Sequence, residues 1–149
     1  MAEEAEGVFN MGIRYRYALD TCQANMATVL RTIADAAPGG VYFHCTSGKD
    51  RTGLIAMLLL ANAGVEQDVI IAEYALTAKL GASLMDRLRI AITERGQTPE
   101  RTGQILASAP ETMRGVLEHL EANYGGPIAY LDSIGIDATT REKLANRLM

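Results

Sequence analysis

"VYFHCTSGKDRTG", residues 41–53, is the stretch on which the reading of this chain turns. Val41, Tyr42 and Phe43 are β-prone and follow the breaker Pro38-Gly39-Gly40, so residues 41–44 read as a short buried strand. His44 and Cys45 stand at its tip. Thr46, Ser47, Gly48, Lys49 and Asp50 separate Cys45 from Arg51, and Thr52-Gly53 lead into the apolar run "LIAMLLLANAGV", residues 54–65. A strand, a tight loop and a helix start make a geometry for binding oxyanions. Loop N–H groups can curl into a nest, and the helix N-terminus adds unpaired donors and the positive end of its dipole. Gly48 relieves strain inside the curl. Arg51 supplies a planar, two-pronged donor that matches two phosphate oxygens.

The same field acts on Cys45. A free cysteine has a pKa of about 8.5, and such surroundings lower it to roughly 3.5–7.5. Cys45 is then a nucleophile at neutral pH, on the loop that holds the anion. The plainer reading of a cysteine after a strand is a small buried hydrophobe, and of a neighbouring histidine a group that satisfies backbone. The complete string from His44 to Gly53 weighs against both.

Upstream, Tyr15, Leu19, Cys22, Met26, Val29, Leu30 and Ile33 fall at helical spacing, which predicts one helix with Cys22 in the core. Downstream, helices are expected over 51–63, 66–78 and about 82–95, with "RGQTPERTGQ" (95–104) a polar loop. Ser108 and Glu111 have the spacing of a capping box, opening a helix of about 109–123. A short helix follows near 127–133, and a last one runs from Asp137, a good N-cap, to about Leu148. His119 and Asp20 read as surface helix residues. Residues 1–10 read as disordered. The strand at 41–44 needs a partner, because an unpaired buried backbone is costly. Residues 8–17, "VFNMGIRYRY", could supply it, or a second copy in a homodimer.

The chain has 149 residues, 48 % hydrophobic and 21 % charged, which suits one globular domain over 1–149. A net charge of −4 argues against a general nucleic-acid or anionic-membrane binder. No apolar run is long enough for stable membrane insertion. The acidic start "MAEEAEGVFN" lacks the regions of a signal peptide, so the cytoplasm is expected, with export by a signal-less route left open. Two cysteines make no disulfide framework. Two histidines far apart, without paired cysteines, give no metal-ligand spacing.

"HCTSGKDRTG" resembles the signature loop of cysteine-dependent phosphatases. Its Gly-Lys-Asp-Arg-Thr-Gly form is similar to the bacterial tyrosine-phosphatase-like family, whose loop overlaps that of lipid phosphatases. "GLIAMLLLANAGV", "IIAEYALT" and "APETMRGVLEHLEANYGG" extend the resemblance over roughly residues 15–148. It implies an α/β fold: helix-rich, with a truncated central sheet around a strand–phosphate loop–helix core. It implies a phosphomonoesterase without metal or cofactor, acting on phosphotyrosine proteins, with dual or phosphoinositide specificity open.

By the same resemblance Cys45 is the nucleophile and forms a phosphocysteine. Arg51 binds the phosphate, with the amides of Thr46, Ser47, Gly48, Lys49, Asp50 and Arg51. His44 fixes the loop, and the Thr52 hydroxyl donates to the sulfur. Lys49 adds rim charge suited to doubly phosphorylated groups; a solvated loop lysine is its alternative. Asp50 is the general acid, or else a structural acceptor of loop N–H groups. Family members carry a long segment ahead of this chain's first helix, with sheet strands and an arginine-rich turn. A minimal form, a fragment, or a dimer that completes its sheet are the open explanations. The rival functions are an inactive phosphate-binding module, sulfur transfer and arsenate reduction. Sulfurtransferase loops have a shorter Cys-to-Arg spacing, and arsenate reduction needs a second cysteine, for which Cys22 is the one candidate.

Overall fold

Asn10 opens the first helix. Its side-chain oxygen accepts the Ile13 N–H at 3.3 Å, which satisfies one of the donors that a helix start leaves unpaired. The helix that follows, α1 (Met11–Thr21), buries Tyr15 and Leu19. This is a computed structural model, and it describes residues 9–148.

After α1 come α2 (Gln23–Ala34), α3 (Asp50–Asn62), α4 (Gln67–Leu80), α5 (Ala82–Glu94), α6 (Pro99–Leu106), α7 (Pro110–Tyr124), α8 (Pro127–Ser133) and α9 (Ala138–Asn146). Among the described residues there is no strand, so the expected α/β fold with a central sheet is overturned: the architecture is all-helical. The reason is physical. β propensity makes a strand only where a second backbone supplies the ladder. Residues 9–17, the candidate partner, are committed to the helical side by the Asn10 cap and the buried face of Tyr15 and Leu19. Residues 41–44 therefore run as irregular chain, with Tyr42 87 % exposed. The expectation of a disordered start concerns residues 1–8, which lie outside the described residues, and Phe9 and Asn10, of which Phe9 is buried and Asn10 caps α1.

α3 is the centre. Leu54, Ile55, Met57, Leu58 and Leu59 are buried along it, as expected of a helix apolar on most of its surface. It packs on α4, α8 and α9, while α7 covers α1, α4 and α8, and α2 lies on α9. The core joins Leu19, Leu30, Leu58, Ile70, Leu117, Leu120, Tyr130 and Leu131.

Four further expectations change. The single helix before the loop is two, broken at Cys22, which closes α1 by donating its N–H to Ala18 O at 2.8 Å. Cys22 is exposed rather than in the core. The polar loop at 95–104 contains most of α6, capped by Thr98, whose hydroxyl accepts the Arg101 N–H at 3.2 Å, with Pro99 at the start. The Ser108 capping box does not form: Ala109 is the N-cap of α7 and the buried Ser108 hydroxyl has no partner. Asp137 does cap α9, accepting the Thr140 N–H at 2.8 Å.

The approach to the loop that carries Cys45 is fixed from α9. Arg147 donates to the carbonyls of Ala36, Ala37 and Gly39, the last two at 2.9 and 3.2 Å. This holds the turn from which residues 41–44 depart.

Candidate active site

Residues 45–50 curl between the irregular segment and the first turn of α3. Gly48 sits at φ +71°, a left-handed conformation that only glycine adopts without strain. That turn aims the N–H groups of Ser47 and Gly48 at the Cys45 sulfur, and the Thr52 N–H reaches it from α3. Burial pushes the Cys45 thiol up. The Thr52 hydroxyl and these three amides outweigh that push and bring its pKa down to about 6. Thr52 Oγ1 is buried and lacks a partner within hydrogen-bond limits. The hydroxyl proton is therefore not engaged elsewhere and is left for the sulfur.

Arg51 is exposed and its guanidinium donates to Thr46 Oγ1 at 3.3 Å, across the mouth of the loop. It also borders an apolar groove with Ala18, Met26, Val29 and Leu54. His44 is exposed, stacked on Tyr42 with ring centroids 5.5 Å apart. Its Nδ1 lies 3.0 Å from the Cys45 carbonyl, so it braces the backbone rather than the sulfur.

Lys49 does not stand at the rim. It is 1 % exposed, and its Nζ donates to Ile105 O at 2.7 Å and Ala107 O at 2.9 Å, the end of α6. The same Nζ lies 3.0 Å from Asp50 Oδ1. Three oxygens match its three donors, so the buried ammonium is fully compensated. Asp50, the first residue of α3, also accepts the Tyr15 hydroxyl at Oδ1, at 2.6 Å. Asp20 is engaged elsewhere: its Oδ1 accepts Tyr124 Oη at 2.7 Å and lies 2.9 Å from His119 Nε2, tying α1 to α7.

From the sequence alone Tyr15 has no link to the site, and Tyr74 reads as a helix-packing residue with a place in the site floor as its alternative. Tyr15 and Tyr74 are both buried, with hydroxyls 3.0 Å apart and rings edge-on at 86°. Gly53 makes this possible, since a Cβ there would come within 3.3 Å of the Tyr74 ring. The Gly at that position, directly after the loop, was the available signal.

A cysteine made acidic by loop amides, with an arginine bonded to the same loop, is an arrangement suited to an oxyanion. The chain belongs to the tyrosine phosphatase family, whose pattern matches residues 1–149. It is 37 % identical to a tyrosine-protein phosphatase of Nostoc commune over 145 residues, covering 93 % of this chain and 49 % of that protein. It is 29 % identical to the triple specificity protein phosphatase PtpB of Mycobacterium tuberculosis, covering 76 % of this chain and 45 % of that one. The chain thus spans about half the length of these curated relatives. Among the described residues, no helix is long and apolar enough to cross a membrane.

Proposed function

We propose that this chain carries the phosphate loop of a protein-tyrosine phosphatase that works through a phosphocysteine. The observation that carries this reading is the amide ring of Ser47, Gly48 and Thr52 around a Cys45 thiol with a pKa of about 6. At pH 7 most of Cys45 is thiolate. Its sulfur attacks phosphorus, the S–P bond forms, and the P–O bond to the leaving group breaks. Asp50 gives its proton to the departing oxygen. Water then attacks phosphorus, Asp50 takes back a proton, and the S–P bond breaks to release phosphate and thiolate. Arg51 and the loop amides neutralise charge on the phosphoryl oxygens throughout.

Phosphotyrosine is the favoured substrate. A rim lysine would favour polyphosphorylated groups, and Lys49 is turned inward. The triple specificity for which the M. tuberculosis relative is named supports testing phosphoserine and phosphothreonine peptides and a phosphoinositide alongside.

Hydrolysis of 4-nitrophenyl phosphate by this chain without added metal, beside Cys45→Ser, tests the reading. The substitution is expected to lower kcat by at least about 10³-fold, since it removes the group that makes the covalent intermediate. The second reading is a phosphate-binding module, in which the same loop holds phosphate without turnover. Phosphate binding without hydrolysis by folded protein would select it.

A further inference from the structure

We propose that Tyr15, backed by Tyr74, is a positioning residue that orients the Asp50 carboxyl for proton transfer to the leaving group. The inference rests on the assignment of Asp50 as general acid and deepens it. A tyrosine hydroxyl has one proton. The Tyr15 proton goes to Asp50 Oδ1 at 2.6 Å, so the 3.0 Å contact between the two hydroxyls is made by Tyr74 donating to Tyr15. The result is a directed chain from Tyr74 through Tyr15 to Asp50, with each bond polarising the next.

The chain selects an oxygen. Oδ1 receives both the Tyr15 hydroxyl and the Lys49 ammonium, at 2.6 and 3.0 Å. Among the described residues Oδ2 has no partner. A proton on Oδ1 would displace one of those donors, so the transferable proton resides on Oδ2. Rotation of the carboxyl about its own axis would exchange the oxygens, and the 2.6 Å bond to Tyr15 prevents it. The charged or titratable groups in contact with Asp50 are Lys49 and Tyr15, with Tyr74 behind. Burial raises the pKa of Tyr15 well above that of an ordinary phenol, and burial likewise pushes Tyr74 up to about 12. Both remain neutral donors through the working range. The rings are locked by their edge-on contact and by the close approach of Gly53.

The step at issue balances simply: the P–O bond breaks as S–P forms, and the Oδ2 proton moves to the departing oxygen, leaving the Asp50 carboxylate. Its importance depends on the leaving group. Phenoxide, a strong base, needs the proton; 2,4-dinitrophenoxide does not.

The test measures kcat/KM, which reports the step that forms the phosphocysteine, for phenyl phosphate and 2,4-dinitrophenyl phosphate with the wild-type chain, Tyr15→Phe, Tyr74→Phe and Asp50→Asn. Tyr15→Phe is expected to lower kcat/KM on phenyl phosphate about tenfold and on the dinitrophenyl ester less than about twofold. Tyr74→Phe should show the same selectivity with a smaller loss, and Asp50→Asn a larger one. The dinitrophenyl rate of each variant reports on folding and on the nucleophile. Equal losses on both esters for Tyr15→Phe, or none, while Asp50→Asn remains selective, would overturn the tyrosine's role alone. A non-selective Asp50→Asn would overturn the acid assignment and the tyrosine's role with it.

Discussion

Cys45 owes its acidity to groups that differ in how readily they can be removed. The amides belong to the backbone, but the Thr52 hydroxyl can be deleted without changing side-chain size. A hydrogen bond to a charged group is worth about 1.5–3 kcal/mol, and 1.36 kcal/mol corresponds to about one pKa unit. The midpoint for alkylation of Cys45 by iodoacetamide should lie near pH 6 in the wild type, with reaction lost as the thiol protonates below it. Thr52→Val should move that midpoint upward by about one unit. At this scale Cys45, Arg51, Thr52 and Gly48 were legible because they lie within one short loop, where spacing dictates geometry. The direction of Lys49 was not, because its partners are the carbonyls of Ile105 and Ala107, 56 and 58 residues away. Nor was Tyr15, whose bond to Asp50 spans 35 residues. Helical spacing marks such a tyrosine as buried and says nothing of what its hydroxyl meets.

Elements meet at Lys49. Its ammonium ties the end of α6 to the first residue of α3, so removing it leaves two carbonyls without this donor and Asp50 Oδ1 with Tyr15 alone. Lys49→Met is expected to destabilise the chain by about 3 kcal/mol, read from the urea midpoint. Hydrogen exchange should quicken at residues 105–108 more than in α7. Asp137→Ala removes only the cap of α9 and should cost about 1 kcal/mol by the same measurement. The helix starts at Asp50 and Asp137 could be read from the chain, as could the stops of α3 and α7. α6 could have been: Thr98-Pro99-Glu100 is a cap, an N1 proline and an acidic first turn, concealed by the polar composition around it. The break at Cys22 carries no such mark, because apolar spacing continues across it and cysteine is not a helix breaker.

For the molecule as a whole, stability rests on the α3-centred core. Leu58→Ala, at a fully buried position, is expected to cost about 3 kcal/mol and to lower Tm by about 9 °C. Helical spacing located Tyr15, Leu19, Met26, Leu30 and Ile33 in the core but also pointed to Cys22 and Val29, which are exposed, and the fold class was not legible. Val41, Tyr42 and Phe43 have strand propensity, yet a strand is a property of two backbones, and the described residues offer the second one nowhere. The loop keeps its shape without a ladder because it is held from other directions: Arg147 behind residues 36–39, α3 after it, and Lys49 from below.

That last anchor makes the loop visible to chemistry that has nothing to do with phosphate. Acylating reagents modify amines that water reaches. Lys79 is exposed, Lys143 is exposed in an ion pair with Asp35, and Lys49 meets water only when the loop parts from α6. Brief treatment with an N-hydroxysuccinimide ester, followed by peptide mass mapping, should label Lys79 and Lys143 and spare Lys49. A label on Lys49 then marks each molecule whose loop has opened, and its rate of appearance is a clock for that opening.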